Sequence, residues 1–176
     1  MMPEPSSAAL EQGLAQDVID RAAGLVPGGA VQGVRQGRQK VARATQQSYE
    51  LFFDPSGTGI SCRERLLIAF YACQLSRADG LAQHYRDQVP DDAALCGRLE
   101  ADVPDASVSP RLAAMLVFTQ TLICRPAEGD REAIRALRHA GLEDPDIVTL
   151  AQLIAFLSYQ IRMVVGLRAL QATESK

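Results

Sequence analysis

Ser61 to Gln88 reads SCRERLLIAFYACQLSRADGLAQHYRDQ. It opens as a helix start. Ser61 suits an N-cap, because its side-chain oxygen accepts from a backbone N–H that has no partner inside the helix. Glu64, three residues on, completes a capping box. Leu66, Leu67, Ala69, Phe70, Cys73 and Gln74 follow at helical spacing and predict a buried helix. Ser76-Arg77-Ala78-Asp79-Gly80 leads into a second helix from Leu81 to Val89. That helix carries His84 and Tyr85, and Pro90 closes it.

Upstream, residues 1 to about 14 are small, polar and Pro-containing, and predict loose chain. Asp17 to Leu25 reads as a short helix stopped by Val26-Pro27-Gly28-Gly29. The Gly28–Gly33 cluster lacks the spacing and the preceding strand of a dinucleotide fingerprint. Val31 to Phe53 reads as one longer helix. Val34, Val41, Ala44, Ser48, Leu51 and Phe52 lie near one face. Arg35, Arg38, Lys40 and Arg43 lie mostly elsewhere and read as a solvated face. Asp54-Pro55-Ser56-Gly57-Thr58-Gly59 is a loop.

Downstream, Asp91-Asp92 opens a short helix, Ala93 to Leu99. Val103 to Ser109 is a connector, and Ser109-Pro110 starts the next helix, with Pro at its first position. That helix runs to about Cys124 on an apolar stripe of Leu112, Met115, Leu116, Thr119 and Leu122. Asp130 to Ala140 follows, stopped by Gly141. The longest segment, Ile147 to Leu170, is apolar over most of its circumference. Such a helix belongs in a core or an oligomer interface. No strand or hairpin signal appears, so the fold class is all-α. Residues 1–30 read as a loosely ordered segment with a short helix, and residues 31–172 as one helical domain.

Bulk composition fits that reading. The chain has 176 residues and 47% hydrophobic content, enough for a sizeable core. With 5% aromatics and no Trp, that core must be mainly Leu, Ile, Val and Ala. A net charge of −3 argues against a nucleic-acid partner. No hydrophobic run approaches the roughly 20 residues that span a bilayer, so no membrane partner is expected. The N-terminus lacks a basic start and apolar block, which points to the cytoplasm.

Cys62, Cys73, Cys96 and Cys124 show no CxxC spacing. Cys73 and Cys124 lie in apolar runs and read as buried small hydrophobes, whereas Cys62 and Cys96 lie nearer loops, as exposed thiols. A continuous helix would put Cys73 roughly 16 Å from His84, at about 1.5 Å per residue. That is too far for direct activation. His139 precedes the Ala140-Gly141 helix end, where a cation suits the dipole. Two histidines without a local carboxylate pattern give no metal signature, and no cofactor is indicated.

Taken in order, these segments resemble the AhpD-like alkylhydroperoxidase and carboxymuconolactone decarboxylase superfamily, in its peroxidase-related branch. The resemblance covers roughly residues 45 to 170. Its first half is Ser61 to Gln88. Its second is SPRLAAMLVFTQTL followed by REAIRALRHAGLEDPDIVTLAQLIAFLSYQIRMVVGL. Arg162 falls on the arginine of the branch's final helix, and Phe156 and Tyr159 on its aromatics. The resemblance implies an AhpD-like helical fold and a homo-oligomer, as a dimer, trimer or hexamer.

It also implies where chemistry would sit. Redox-active members carry Cys-x-x-Cys-x-x-x-His, entered by a helix bearing a Glu. There the thiol nearer the His attacks peroxide, the other resolves the disulfide, and Glu and His relay protons. Here His84 is present, but Gly80 holds the attacking position, Arg77 the resolving one, and Arg65 that of the Glu. The expectation is a degenerate thiol site without thiol peroxidase activity. A small molecule would be bound or processed near His84. If Arg65, Arg77 and Arg162 gather around His84, Gly80 and Tyr159, that ligand is a small anion. The alternatives are a thiol-independent acid–base enzyme of the decarboxylase type and a non-catalytic oligomeric partner of a redox-active relative.

Overall fold

The computed structural model describes residues 17–100 and 108–174. The loose start expected at residues 1 to 14, and most of the connector from Val103, lie outside the described residues. Among the described residues, every regular element is helical. In chain order they are α1 (Val18–Ala23), α2 (Ala30–Gln36), α3 (Gln39–Phe52), α4 (Cys62–Leu75), α5 (Asp79–Arg86), α6 (Ala93–Glu100), α7 (Pro110–Cys124), α8 (Arg131–His139) and α9 (Asp144–Glu174). Short 3-10 turns lie at Pro90–Asp92 and Pro126–Glu128. The chain divides into two compact units. One runs from Tyr49 to Ile161, and the other joins the residues up to Ser48 with those from Arg162 onward.

The Tyr49–Ile161 unit is built on α4. Its capping box is complete: Glu64 N–H donates to Ser61 Oγ at 3.2 Å, and Ser61 N–H donates to the Glu64 carboxylate at 2.9 Å. Every residue from Arg65 to Cys73 is buried, and α4 packs on α5, α6 and α7. A helix covered all round needs apolar residues all round, which Leu66 to Cys73 supply. α9, read from the sequence as apolar over most of its circumference and suited to a core or an oligomer interface, buries Leu150, Leu153, Ile154, Leu157 and Ile161 and exposes Val148, Val165 and Leu170. By length and composition α9 does qualify as a membrane-crossing helix, contrary to the run-length reading, but those buried leucines and isoleucines mark a core helix.

Between α4 and α5 the chain reverses at Arg77, whose φ of 53° is left-handed. Its N–H donates to the Gln74 carbonyl, and the Ala78 N–H to that of Cys73. This is the usual helix-ending geometry, with arginine where glycine is more common. The 54–59 loop starts with an Asx turn, Asp54 Oδ1 accepting from the Ser56 N–H at 2.8 Å. It ends at Gly59 (φ 82°), where a Cβ would collide with the Asp146 carboxylate. That carboxylate pairs with Arg111 at 2.8 Å, and Arg111 also donates to the Gly141 carbonyl. Gly59 thus allows the loop to approach the start of α9.

In the other unit, the long helix expected from Val31 to Phe53 is broken between α2 and α3. Gly33 and Gly37 weaken the helix there, each being about 1 kcal/mol poorer than alanine. The apolar face expected along it is also corrected: Val34, Val41 and Leu51 are exposed, while Ala42 and Thr45 are buried. So is the solvated basic face at one position. Arg38, Lys40 and Arg43 are exposed, but Arg35 is buried. Its Nη2 lies 2.7 Å from Asp17 Oδ2, and its Nε donates to Asp20 Oδ1. Asp17 Oδ1 also caps α1, accepting from the Ile19 and Asp20 N–H groups. At the other end of α1, Arg168 and Gln171 donate to the carbonyls of Ala22 and Ala23.

Candidate functional site

His84 is half-buried near the end of α5. Two polar side chains meet its Nε2: the Tyr49 hydroxyl at 2.9 Å and the Gln88 amide nitrogen at 3.1 Å. Tyr49 also donates to Gln88 Oε1 at 3.3 Å. Tyr49 comes from the last turn of α3, and Gln88 follows α5 by one helical turn from His84. Rings frame the group. Tyr49 lies 5.0 Å from Phe53 and 5.6 Å from His84, and Phe53 lies 5.2 Å from Tyr85.

Behind that frame the site turns dry. Tyr85 is buried and donates to Gln160 Oε1 at 2.6 Å. Burial pushes its phenol well above the usual range; the neighbouring Cys73 and Tyr49 add to this, and the Gln160 bond opposes it. Cys73 is buried too, and burial pushes its thiol up. The attacking form of a cysteine is the thiolate, so this one is held in its inert state. The α4–α5 break also makes the continuous-helix separation of Cys73 and His84 inapplicable.

The other expected site residues lie as follows. Arg65 is buried; its Nη2 donates to the Asp54 carbonyl at 2.7 Å, and its Nε–H has no partner. Its guanidinium lies against Gly57, so close that a Cβ there would sit 2.8 Å from Nη1. Arg77 is exposed at the reversal, and Gly80 is half-buried in the first turn of α5. Tyr159 is half-buried on α9, and Arg162 is exposed and belongs to the other compact unit. Two thiol expectations are reversed: Cys96 is buried and Cys124 exposed. Cys124 closes an apolar run, but as the last residue of α7. Cys62, half-buried, donates to the Phe53 carbonyl at 3.3 Å.

The sequence reading missed Tyr49 and Gln88. Gln88, four residues after His84, was available as a helical neighbour. Tyr49 lies 35 positions away and carried no local signal. A separate cleft of about 320 Å³, lined by Ser61, Arg63, Glu64, Leu95, Ser109 and Leu112 among others, lies at the starts of α4 and α7 and does not include His84. Its polar groups are engaged, Arg63 with Asp92 and Ser61 with Glu64. Among the described residues, no group of three or more His, Cys, Asp or Glu side chains could hold a metal ion.

No protein-family model and no curated protein matches the sequence. Solved structures do. An uncharacterized peroxidase-related protein from Silicibacter sp. TM1040 is similar with a TM-score of 0.69 at 19% identity, over 94% of this chain and 86% of that one. A second, from Ralstonia eutropha JMP134, described as an alkylhydroperoxidase AhpD core and an uncharacterized peroxidase-related protein, has a TM-score of 0.64 at 21% identity. It covers 94% of this chain and 88% of its own. At such identities the likeness is one of fold. With its helices matched almost end to end, the chain has the AhpD-like helical fold of these peroxidase-related proteins.

Proposed function

We propose that this chain has lost the thiol chemistry of redox-active AhpD-like proteins and uses His84 in an acid–base site for a small anionic molecule. The observation that carries the reading is the hydrogen-bonded group of Tyr49, His84 and Gln88. Tyr49 and His84 are half-buried and Gln88 is exposed, on a frame that ends in a buried phenol. Anion preference rests on Arg65. A buried guanidinium with an unpartnered N–H favours an oxyanion. The carbonyl that it does bind, Asp54, directly follows Phe53 of the same aromatic frame.

The test is a screen of small carboxylates and phosphates by thermal shift and calorimetry. The native chain should bind at least one, and His84→Ala should abolish that binding with little loss of helix content. If His84 is only a packing residue, the substitution should instead lower stability by about 1–3 kcal/mol and leave any ligand bound. A native chain that binds none of these ligands contradicts the proposal.

A second reading, a non-catalytic oligomeric partner of a redox-active relative, draws on the exposure of Val148, Val165 and Leu170 along α9. Large apolar side chains left in water favour association. It predicts a stable oligomer at micromolar concentration. A monomer mass in light scattering removes this reading.

A further inference from the structure

Two side chains of α4 tie down the end of α3. The last carbonyls of a helix have no partner inside it and carry its negative pole. α3 has no basic residue in its own last turn. The donors come instead from the start of α4. The Cys62 thiol donates to the Phe53 carbonyl at 3.3 Å, and Arg65 Nη2 donates to the next carbonyl, that of Asp54, at 2.7 Å. The Asp54 carbonyl also accepts from the Gly57 N–H at 3.2 Å, so the loop folds back over the guanidinium. A Cβ on Gly57 would lie 2.8 Å from Nη1 and 2.9 Å from Nη2, and only glycine lets the loop come so close. The tie continues up α3. The Phe53 N–H donates to the Tyr49 carbonyl at 3.1 Å, and the Phe53 ring lies against those of Tyr49 and Tyr85. Tyr49 is the residue whose hydroxyl meets His84 Nε2 at 2.9 Å.

We propose that Arg65 is a positioning residue of this site: with Cys62 it holds the end of α3 on α4, and so sets the Tyr49 hydroxyl against His84. This rests on the reading of Tyr49, His84 and Gln88 as the site. Arg65 needs no contact with a ligand for this role, because it acts through one helical turn of backbone. Of the two ties the arginine's is the stronger, since a charged donor outweighs a thiol. The role also accounts for the residue type. A carboxylate at position 65 has no proton to give the Asp54 carbonyl, and its charge opposes the helix end.

The test follows His84 itself and uses no ligand, so it is decided separately from the ligand screen above. The chain has two histidines, and His139 is exposed, so a His139→Gln background leaves His84 alone in imidazole NMR titrations. Tyr49→Phe deletes the hydroxyl and should move the His84 midpoint by roughly 0.4–1 pH unit, the worth of one hydrogen bond. Arg65→Met removes the donor, keeps much of the volume, and should move the midpoint in the same direction. Adding Tyr49→Phe to Arg65→Met should give the midpoint of Tyr49→Phe alone, because the two changes act by one route. Summed shifts, or a native midpoint in Arg65→Met, overturn the proposal. A native midpoint in Tyr49→Phe overturns it as well, by removing the Tyr49–His84 bond on which it stands. If Arg65→Met does not fold, Gly57→Ala carries the test from the loop side, where its Cβ displaces the guanidinium. It too should move the midpoint in the direction of Tyr49→Phe, and a native midpoint there overturns the proposal. A chain that shows the expected pattern and binds none of the screened anions keeps Arg65 in this role and loses the anion reading.

Discussion

Given an organic hydroperoxide and a dithiol reductant, the native chain should consume no peroxide above the reductant alone. Peroxide reduction by this route needs one thiolate to attack and a second thiol to discharge the sulfenic acid as a disulfide. Gly80 has no side chain, and Arg77 stands exposed at a left-handed reversal. Neither buried cysteine substitutes. Burial pushes the thiols of both Cys73 and Cys96 up, which disfavours the thiolate. Cys62 turns its S–H to a carbonyl, and Cys124, though exposed, lies at the far end of another helix with no CxxC partner. An arginine side chain cannot give up its proton in a protein, so position 65 supplies no proton relay. Cys73→Ser should therefore leave the blank rate unchanged. Robust native turnover that disappears in Cys73→Ser would mean that the active thiol had moved. Rebuilding the pair with Arg77→Cys and Gly80→Cys should at most allow a disulfide. Adding Arg65→Glu for turnover would strand a carboxylate beneath the 54–59 loop, so that variant should also melt lower.

The largest stability effect is expected at Arg35. Its guanidinium is shared by Asp17 and Asp20, and all three are buried. Asp20 Oδ2 has no partner even in the native arrangement. Arg35→Met keeps most of the volume and removes the charge, leaving two buried carboxylates to repel each other. The cost should be about 3–5 kcal/mol in urea unfolding. Asp20 makes the effect depend on pH. Burial raises its pKa, Arg35 opposes that, and Asp17 adds to it. A carboxyl whose folded pKa is raised takes up a proton on folding. Its contribution is full below the ordinary carboxylate pKa and is lost as pH rises through the folded value. Removing Arg35 takes away the opposing influence, so the loss should extend to higher pH and the variant should regain stability on acidification. Adding Asp17→Asn and Asp20→Asn should recover most of the loss at neutral pH, because Asn caps a helix about as well as Asp and neither amide carries charge. A single Arg35→Met that unfolds at the native midpoint would show that the buried triad contributes nothing.

What the sequence revealed, and what it hid, divides along chain distance. The Ser61–Glu64 capping box, the Ser109-Pro110 start and the Gly141 stop are written within a few residues, and each appears where read. The all-α class follows from such local marks. Arg35 was misread because its partners, Asp17 and Asp20, sit on a different helix, and an arginine's own neighbours do not show whether it will be neutralised. The break before α3 was hidden because the apolar positions on either side keep helical spacing through it. At the site, His84 was singled out only by its position in the motif that resembles the AhpD-like proteins, and no local pattern marked it. The hydroxyl that meets it comes from Tyr49, and no periodicity links the two.

The bond between Tyr85 and Gln160 has a consequence for how α9 is read by its neighbours. A helix with Leu150, Leu153, Ile154, Leu157 and Ile161 along its buried side, and further apolar residues around it, offers several rotations that would bury similar area. Hydrophobic burial alone is nearly indifferent among them. Gln160 is not. Turned away from Tyr85, it would leave a buried amide and a buried phenol each without a partner, whereas the native rotation joins them at 2.6 Å. The pair acts as a key on a smooth shaft: it adds little grip, and it decides the angle at which the shaft is allowed to seat.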